Sequence, residues 1–413
     1  MGASHTLAKK SMTIEAPIVP AEKSSPIRTE TLSRWLDYGM KIQLASLLVS
    51  IAVAQILVGF LGILWIILMA RGRRYTRTPL DIPLFIFLAV RSLAVFFSEF
   101  PAESFSTFSR ELVFYISFFF SAHYLQQASR EQVIGTLRWL FVSTAVVAFL
   151  SSFQVIFGMV ERANGFTGGG TMATHLVFVL PFLLLSLENK KILKSRWVVW
   201  ILLATVGMGL AFSTKRGDWL AAGAIVFLYG LIFNRRLLLG ALLFGAAVVA
   251  LVPEVQERVL TLAAPMENAS DRLPVWEAAA QRFGEHPILG FGPRTFRSVF
   301  QDVDKLTDKG ISSWHNETIQ IYMESGALGL ASFFFLIGFL VFLSVPLIRS
   351  KVAGLHGFRP GWAGLLLVMG LLIVGLFGTP AVSITNAMLF RFLMALIAVE
   401  YMRMPKAQTQ EGQ

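Results

Sequence analysis

Two adjacent cations, Lys215 and Arg216, lie between two apolar runs of the sequence and form a candidate anion site. A guanidinium group can hold a phosphate through two parallel hydrogen bonds, which an ammonium group cannot do. Gly217 permits close approach of the backbone, and the beginning of the next helix would supply free N–H groups. The alternative is that both side chains extend to lipid headgroups at a membrane surface.

An imidazole is the second candidate group. His315 lies directly before another long apolar run, within the segment Trp314-His-Asn-Glu317. At a helix N-terminus the dipole disfavours the imidazolium, and a general base requires the neutral imidazole. Asn residues are also good N-caps, so the alternative for this segment is a capping or packing role.

Two further arginines lie outside the apolar runs. Arg272 begins an amphipathic pattern that continues to Phe283, with Pro274 in its first turn, and this pattern predicts a short helix. Arg162 lies in a segment that ends in three glycines. Deeper in the apolar runs, Arg91 and Arg391 need partners, because a buried charge in lipid is costly. Glu324 and Glu400 are possible partners, and no sequence argument decides the pairing.

Metal and nucleotide chemistry find little support in the sequence. The chain has no cysteine, which excludes disulfides, thiolate metal sites and a cysteine nucleophile. Asp302 and Asp304 have the spacing of acid pairs that bind metal–nucleotide sugars, but no histidine or carboxylate cluster accompanies them. The motifs of ATP hydrolysis and dinucleotide binding are also missing. We therefore expect neither a metal nor another cofactor.

The composition indicates that helices in a membrane position these residues. Of 413 residues, 55 % are hydrophobic and only 15 % are charged, whereas soluble domains have roughly 45–50 % apolar and 25 % charged residues. A helix needs about 20 apolar residues to cross a bilayer, and continuous runs exclude a barrel of alternating strands. The runs cover residues 42–70, 80–98, 111–126, 133–159, 172–187, 197–213, 219–233, 237–252, 318–347, 361–378 and 382–402.

The distribution of basic residues predicts the orientation of these runs. Basic residues flank the run 42–70 on both sides, so both flanks are expected in the cytoplasm. We interpret this run as two short helices with a break near Ala54–Gln55, with a single tilted helix as the alternative. The other loops then alternate correctly. The result is an all-α polytopic membrane protein with about 12 transmembrane helices and one long outer loop that contains short helices.

This topology divides the chain as follows. Residues 1–40 form a cytoplasmic tail, 41–252 hold transmembrane helices 1–9, 253–315 form the outer loop, 316–402 hold helices 10–12, and 403–413 form a second cytoplasmic tail. The net charge of +11 comes mostly from inner loops and is a topology signal, so we expect no nucleic acid partner. Basic residues in the outer segments oppose the insertion bias, and we interpret them as functional.

In this arrangement the chain resembles the bacterial O-antigen ligase family over roughly residues 40–402. The resemblance rests on an ordered set of short motifs around one long outer loop. They are the Arg162…Gly165 loop, Ser213-Thr-Lys-Arg-Gly-Asp-Trp-Leu220, Arg272…Trp276…Pro287…Gly290-x-Gly292 and His315-Asn-Glu…Glu324-x-Gly326. The family often has Ser-x-Ser-Arg-Gly where this chain has Ser-Thr-Lys-Arg-Gly, so Lys215 is an extra phosphate contact or a neutral change.

The resemblance implies a glycosyltransferase of the GT-C type in the bacterial inner membrane, with its active site facing the periplasm. It would move O-antigen from undecaprenyl diphosphate to a sugar hydroxyl of lipid A–core, without metal, nucleotide or an obligate protein partner, and with inversion. The essential histidine of the family corresponds to His315, and its essential arginines correspond to Arg216 and Arg272. Lys215, Arg162 and Asn316 are the expected diphosphate- or glycan-binding residues.

Three other functions remain open at this point. O-antigen polymerases and protein O-oligosaccharyltransferases share much of the same pattern and use the same lipid donor. A lipid or polysaccharide flippase belongs to another class, since it breaks no bond. A flippase should present charges along a path between the leaflets, whereas the unexplained cations of this chain collect in the outer segments.

Overall fold

The computed structural model describes residues 26–168, 170–188, 192–193, 195–260, 272–306, 311–349 and 359–404. Residues 1–25 and 405–413 of the two predicted tails lie outside these ranges. Within the described ranges the regular structure is entirely helical. The α-helices are α1 (Pro26–Ser46), α2 (Ile51–Ala70), α3 (Asp81–Phe96), α4 (Pro101–Gln127), α5 (Arg130–Ile156), α6 (Thr171–Leu185), α7 (Arg196–Phe212), α8 (Arg216–Ile232), α9 (Arg235–Leu251), α10 (Pro253–Leu260), α11 (Arg272–Arg282), α12 (Phe296–Val299), α13 (Glu317–Arg349), α14 (Pro360–Gly375) and α15 (Ile384–Met402). Two 3₁₀ turns lie at Ser186–Glu188 and Asp302–Lys305.

The prediction of a polytopic helical protein is confirmed at this level, because every predicted apolar run coincides with a helix. Among the described helices, 5 are long and apolar enough to cross a membrane by themselves. The spans are Ile51–Ala70, Arg130–Ile156, Thr171–Glu188, Glu317–Arg349 and Ile384–Met402. Helices α7 and α14 are apolar but shorter. A total of about 12 crossings stays a prediction.

The two short helices predicted within the first hydrophobic run are not found. Residues 51–70 form the single helix α2, only residues 42–46 belong to α1, and the break between these helices differs from the predicted one. It lies at residues 47–50, and Ala54 and Gln55 are inside α2. The reason is Ser50, whose extended backbone and hydroxyl cap α2 by accepting a hydrogen bond from the Val53 N–H. One helix over the whole run 42–70 is not found either, although α2 alone is long enough to cross a membrane.

Helix α1 begins at Pro26, within the segment that we predicted as a tail. Its apolar residues form a stripe instead of a continuous run, which is why hydropathy alone does not reveal it. Leu36, Met40 and Leu44 recur every fourth residue and are buried, whereas Trp35 is 57 % exposed.

Helices α6 and α15 lie at the centre of the bundle, because nearly every residue of each is buried. Helix α15 packs on α4, α6 and α13, and α13 packs on α3 and α14. The segment between α10 and α13 adds a second hydrophobic cluster, in which residues of α11 and α12 surround Trp314 and Met323. The amphipathic helix predicted from Arg272 onward is confirmed as α11.

Residues 286–294 form a tight turn that pairs with a break in α13. Gly326 has φ +62° and ψ −162°, which interrupts the helix. Backbone bonds then join the two segments, from Phe291 N–H to Met323 O (2.8 Å) and from Ala327 N–H to Pro287 O (2.8 Å). The outer loop is thus fastened to the beginning of α13.

Gly326→Ala is expected to destabilise the protein. A Cβ there would lie 2.2 Å from the carbonyl carbon of Ile288, and the left-handed backbone alone costs an L-residue about 1–2 kcal/mol. Gly338→Ala, in the same helix, is the matched control, since a Cβ at Gly338 would have no neighbour within 4 Å. Thermal unfolding in detergent should show a lower Tm only for the Gly326 variant. Equal Tm values for the two variants would contradict the close contact between Gly326 and the backbone of Ile288.

Candidate functional site

The cationic pair lies where α8 begins. Lys215 is the N-cap residue of α8, and Arg216 is the first residue of the helix. The Lys215 ammonium donates a hydrogen bond to Gly170 O at 2.8 Å and lies 3.8 Å from a carboxylate oxygen of Asp218. The Arg216 guanidinium is partly exposed and has no ion-pair partner among the described residues. Lys215 therefore fastens α8 to the beginning of α6. The Arg216 guanidinium can still bind an anion.

Asp218 connects this pair with the third predicted cation. Its side chain is buried and accepts a hydrogen bond from the Thr174 hydroxyl of α6 at 2.8 Å. Arg272, the first residue of α11, lies close enough to attract the Asp218 carboxylate electrostatically. Lys215 and Arg272 thus both lie within electrostatic range of Asp218. Sequence reasoning missed this role of Asp218, although an acidic residue two positions after a pair of cations was a visible signal.

His315 lies immediately before α13, as predicted, and the capping interpretation of Asn316 is correct. The Asn316 side-chain oxygen accepts a hydrogen bond from the Ile319 N–H at 3.1 Å, which is the N-cap arrangement. Its amide nitrogen donates to Leu376 O at 3.3 Å. His315 is partly buried and has φ +51°, in the left-handed region that side-chain-bearing residues rarely adopt.

The residues that follow α14 contact the N-terminal ends of both α8 and α13. Asn316, before α13, bonds to Leu376. Gly217, in the first turn of α8, packs against the next residue, Phe377, so closely that a Cβ would lie 2.8 Å from the Phe377 Cβ. The close approach that Gly217 permits is therefore that of Phe377. Arg216 and His315 lie at the same end of the bundle, as the sequence analysis required.

Arg162 lies in the segment between α5 and α6 at this same end. The neighbouring Ala163 N–H donates to Phe212 O at 2.9 Å, which attaches the segment to the last residue of α7. The Arg162 side chain itself is exposed. The six predicted site residues therefore lie on segments at one end of the bundle, with Arg162 at the margin.

A buried ion network lies beside the site. Arg91 is fully buried and contacts both Glu111 and Glu324 at 2.9 Å. Arg294 contacts the other oxygen of Glu111 at 2.9 Å, and its backbone N–H donates to Glu324 at 2.8 Å. The possible pairing of Arg91 with Glu324 is therefore confirmed. The network connects α3, α4, α13 and the 286–294 turn, and its other two members, Glu111 and Arg294, were missed.

The second deep cation is arranged differently. Arg391 lies over the ring of Tyr115, 4.6 Å from the centroid, and donates to Ala387 O. Glu400 pairs with Arg403 at 3.4 Å instead. Within the described ranges, His, Asp and Glu side chains nowhere gather in groups of three that could hold a metal ion.

Comparison with known proteins identifies the segment that carries the site. Residues 197–334 match the model of a protein family described as O-antigen ligase. The match extends from α7 to the first half of α13 and includes Lys215, Arg216, Arg272, His315 and Asn316. The resemblance to this family is thereby confirmed. No curated protein matches the chain.

Proposed function

Because residues 197–334 carry a domain of the O-antigen ligase family, we propose that this membrane protein is an O-antigen ligase. It transfers O-antigen from undecaprenyl diphosphate to a sugar hydroxyl of lipid A–core. One observation carries the proposal beyond the family level: the cations around Asp218 and the imidazole of His315 lie at one end of the bundle. There Gly217 of α8 packs on Phe377, and Asn316, directly before α13, bonds to the neighbouring Leu376.

In the proposed reaction, the acceptor oxygen attacks the anomeric carbon of the donor. The bond between that carbon and the phosphate oxygen breaks, and the lipid diphosphate leaves with the bonding electron pair. Arg216 and Arg272 stabilise the negative charge that develops on the diphosphate, with Lys215 and Arg162 in support. The proton of the attacking hydroxyl passes to His315. Attack from the face opposite the leaving group inverts the anomeric centre.

The proposed setting is the periplasmic face of the bacterial inner membrane, in a protein of the GT-C type. The positive-inside distribution of basic residues supports this orientation. Cations fixed by the fold supply the charge stabilisation that other transferases obtain from a metal, so the reaction needs no metal, nucleotide or obligate protein partner.

A purified transfer assay tests the function. Protein in detergent or nanodiscs is mixed with lipid-linked O-antigen and lipid A–core, with and without EDTA, and the ligated product is detected on gels. Product in both reactions is expected, and NMR of the new linkage should show the anomer opposite to that of the donor. Absence of product, or EDTA-sensitive product, would contradict the ligase or its metal independence.

Polymerase and protein O-oligosaccharyltransferase activities are the nearest alternatives, and complementation of separate ligase and polymerase knockouts distinguishes them. The flippase is disfavoured by Arg91. This deep charge is fully buried and is satisfied by Glu111 and Glu324. It is therefore part of a structural network, and its side chain is not available to a passing headgroup.

Lys215→Met is expected to reduce transfer by about tenfold, the effect of one charged hydrogen bond. The reason for this moderate loss is that the ammonium is already engaged by Gly170 O and Asp218, so Lys215 acts mainly by holding α8 against α6. The initial rate in the purified assay measures the effect. A loss as large as that of an Arg216 variant would instead make Lys215 a principal phosphate ligand.

A further inference from the structure

The backbone at His315 is held in an unfavourable conformation. Its φ of +51° lies in the left-handed region, which disfavours residues with a Cβ. Such a conformation persists only where neighbouring groups determine it, and it is found at sites where a side chain must be presented in one direction. The groups that hold the preceding peptide therefore decide where the imidazole lies.

Both polar backbone groups of Trp314 are held by side chains. Its N–H donates to the side-chain oxygen of Gln320 at 2.9 Å. Its carbonyl, which belongs to the peptide bond leading to His315, accepts a hydrogen bond from the indole Nε1 of Trp276 at 2.8 Å. The Trp314 side chain is 1 % exposed and packs edge-on against Phe296. The two peptide groups that flank Trp314 are thus each fixed by a side chain, and the second of them leads to His315.

The Gln320 contact is itself determined by the buried ion network. The Gln320 amide nitrogen donates to Glu324, whose carboxylate also accepts from Arg91 and from the Arg294 backbone. Because the nitrogen faces a carboxylate, the amide oxygen must face the Trp314 N–H. The hydrogen bond between Gln320 and the Trp314 N–H is therefore anchored in the core of the protein.

The hydrogen bond to the Trp314 carbonyl comes from a residue of α11, Trp276. Trp276 lies four residues after Arg272, so the two side chains project from neighbouring positions on one helix face. A single turn of α11 therefore carries both a cation within electrostatic range of Asp218 and the indole that holds the peptide leading to His315. Movement of this helix would displace both groups together.

We propose that Trp276 is a positioning residue. Its indole N–H orients His315 relative to the cations, and α11 thereby couples leaving-group stabilisation to activation of the acceptor hydroxyl. This inference rests on the proposed transferase function. It gives the aromatic residue at position 276 a role in catalysis without contact with substrate.

Trp276→Phe tests the proposal, because it removes the N–H donor and keeps an aromatic ring. Tyr322→Phe is the matched control: the Tyr322 hydroxyl also joins α13 to a backbone carbonyl of the 272–283 segment, that of Phe283, at 3.0 Å, but it does not touch the His315 peptide. For Trp276→Phe we expect kcat to fall about 10- to 100-fold. KM for the lipid-linked donor should change less than about threefold, since Arg272 is retained. The control should keep the wild-type kcat.

A second measurement does not depend on transfer. Hydrogen–deuterium exchange of the peptide that contains residues 311–319 should accelerate in Trp276→Phe and remain at the wild-type rate in Tyr322→Phe. Benzothienylalanine at position 276, in which sulfur replaces the N–H within a ring of the same shape, should reproduce both effects.

Equal kcat losses in the two phenylalanine variants would overturn the proposal, because they would mean that Trp276 only docks α11. Unchanged exchange and kcat in Trp276→Phe would overturn it as well. Failure of the ligase function appears differently: wild-type protein then gives no ligated product, while the exchange experiment still reports whether the indole holds the His315 segment.

Discussion

His315→Ala is expected to lower the rate of O-antigen transfer by about 10²–10⁴-fold, which is the range that general-base assistance supplies. The protein should still reach the membrane in normal amounts. The cap of α13 comes from Asn316 and not from His315, and replacing a residue that has φ +51° by alanine leaves the backbone requirement similar. Initial rates of the purified enzyme, together with its amount on immunoblots, measure the two quantities separately.

His286→Ala is the control for this experiment. His286 lies in the same outer loop, pairs with Glu99 at 3.4 Å and packs edge-on against Phe291. Its loss should leave the transfer rate within a factor of about two, since an exposed pair of this kind contributes little. Wild-type ligation by the His315 variant in a ligase-null strain would refute the assignment of the base and, with it, the proposed mechanism.

Much of the helical framework could be predicted because a bilayer imposes a simple rule: a span must be long and continuously apolar. Helix α1 does not obey that rule, since only a stripe of Leu36, Met40 and Leu44 is buried. The break before α2 depends on one hydroxyl, that of Ser50, and hydropathy does not register a single capping bond. Local polar chemistry therefore decides the details that composition leaves open.

In the candidate site, too, some features could be predicted from the sequence and others could not. Its cations and imidazole were recognisable because each interrupts an apolar pattern at a predictable helix end. The contacts that fix their positions join segments far apart in the chain, as between Thr174 and Asp218 or between Glu111 and Arg294. Pairs of this kind follow from tertiary packing, which no periodicity of a single sequence encodes. Besides Asp218, Glu111 carried a signal, as an acidic residue at the first position of a predicted span.

Arg216→Ala is expected to reduce transfer about 10²–10³-fold, the typical cost of removing one electrostatic donor from a developing charge. Arg216 begins α8, is partly exposed, and has no ion-pair partner among the residues that the structure describes. Its replacement therefore leaves no buried charge behind, and the fold should be retained. Arg282→Ala is the matched control, since this arginine ends α11 and its ion-pair partner among the described residues is the exposed Glu285, at 3.9 Å.

Arg216→Lys separates charge from geometry. A lysine keeps the positive charge but cannot form the two parallel hydrogen bonds of a guanidinium with a phosphate. If bidentate contact with the leaving diphosphate matters, the lysine variant should recover only a small part of the activity lost in Arg216→Ala, while donor KM returns toward the wild-type value. Full recovery of transfer activity in the lysine variant would mean that only the positive charge at position 216 matters. An alanine variant as active as Arg282→Ala would move the leaving-group site away from the beginning of α8, and Arg272 would become its principal cation.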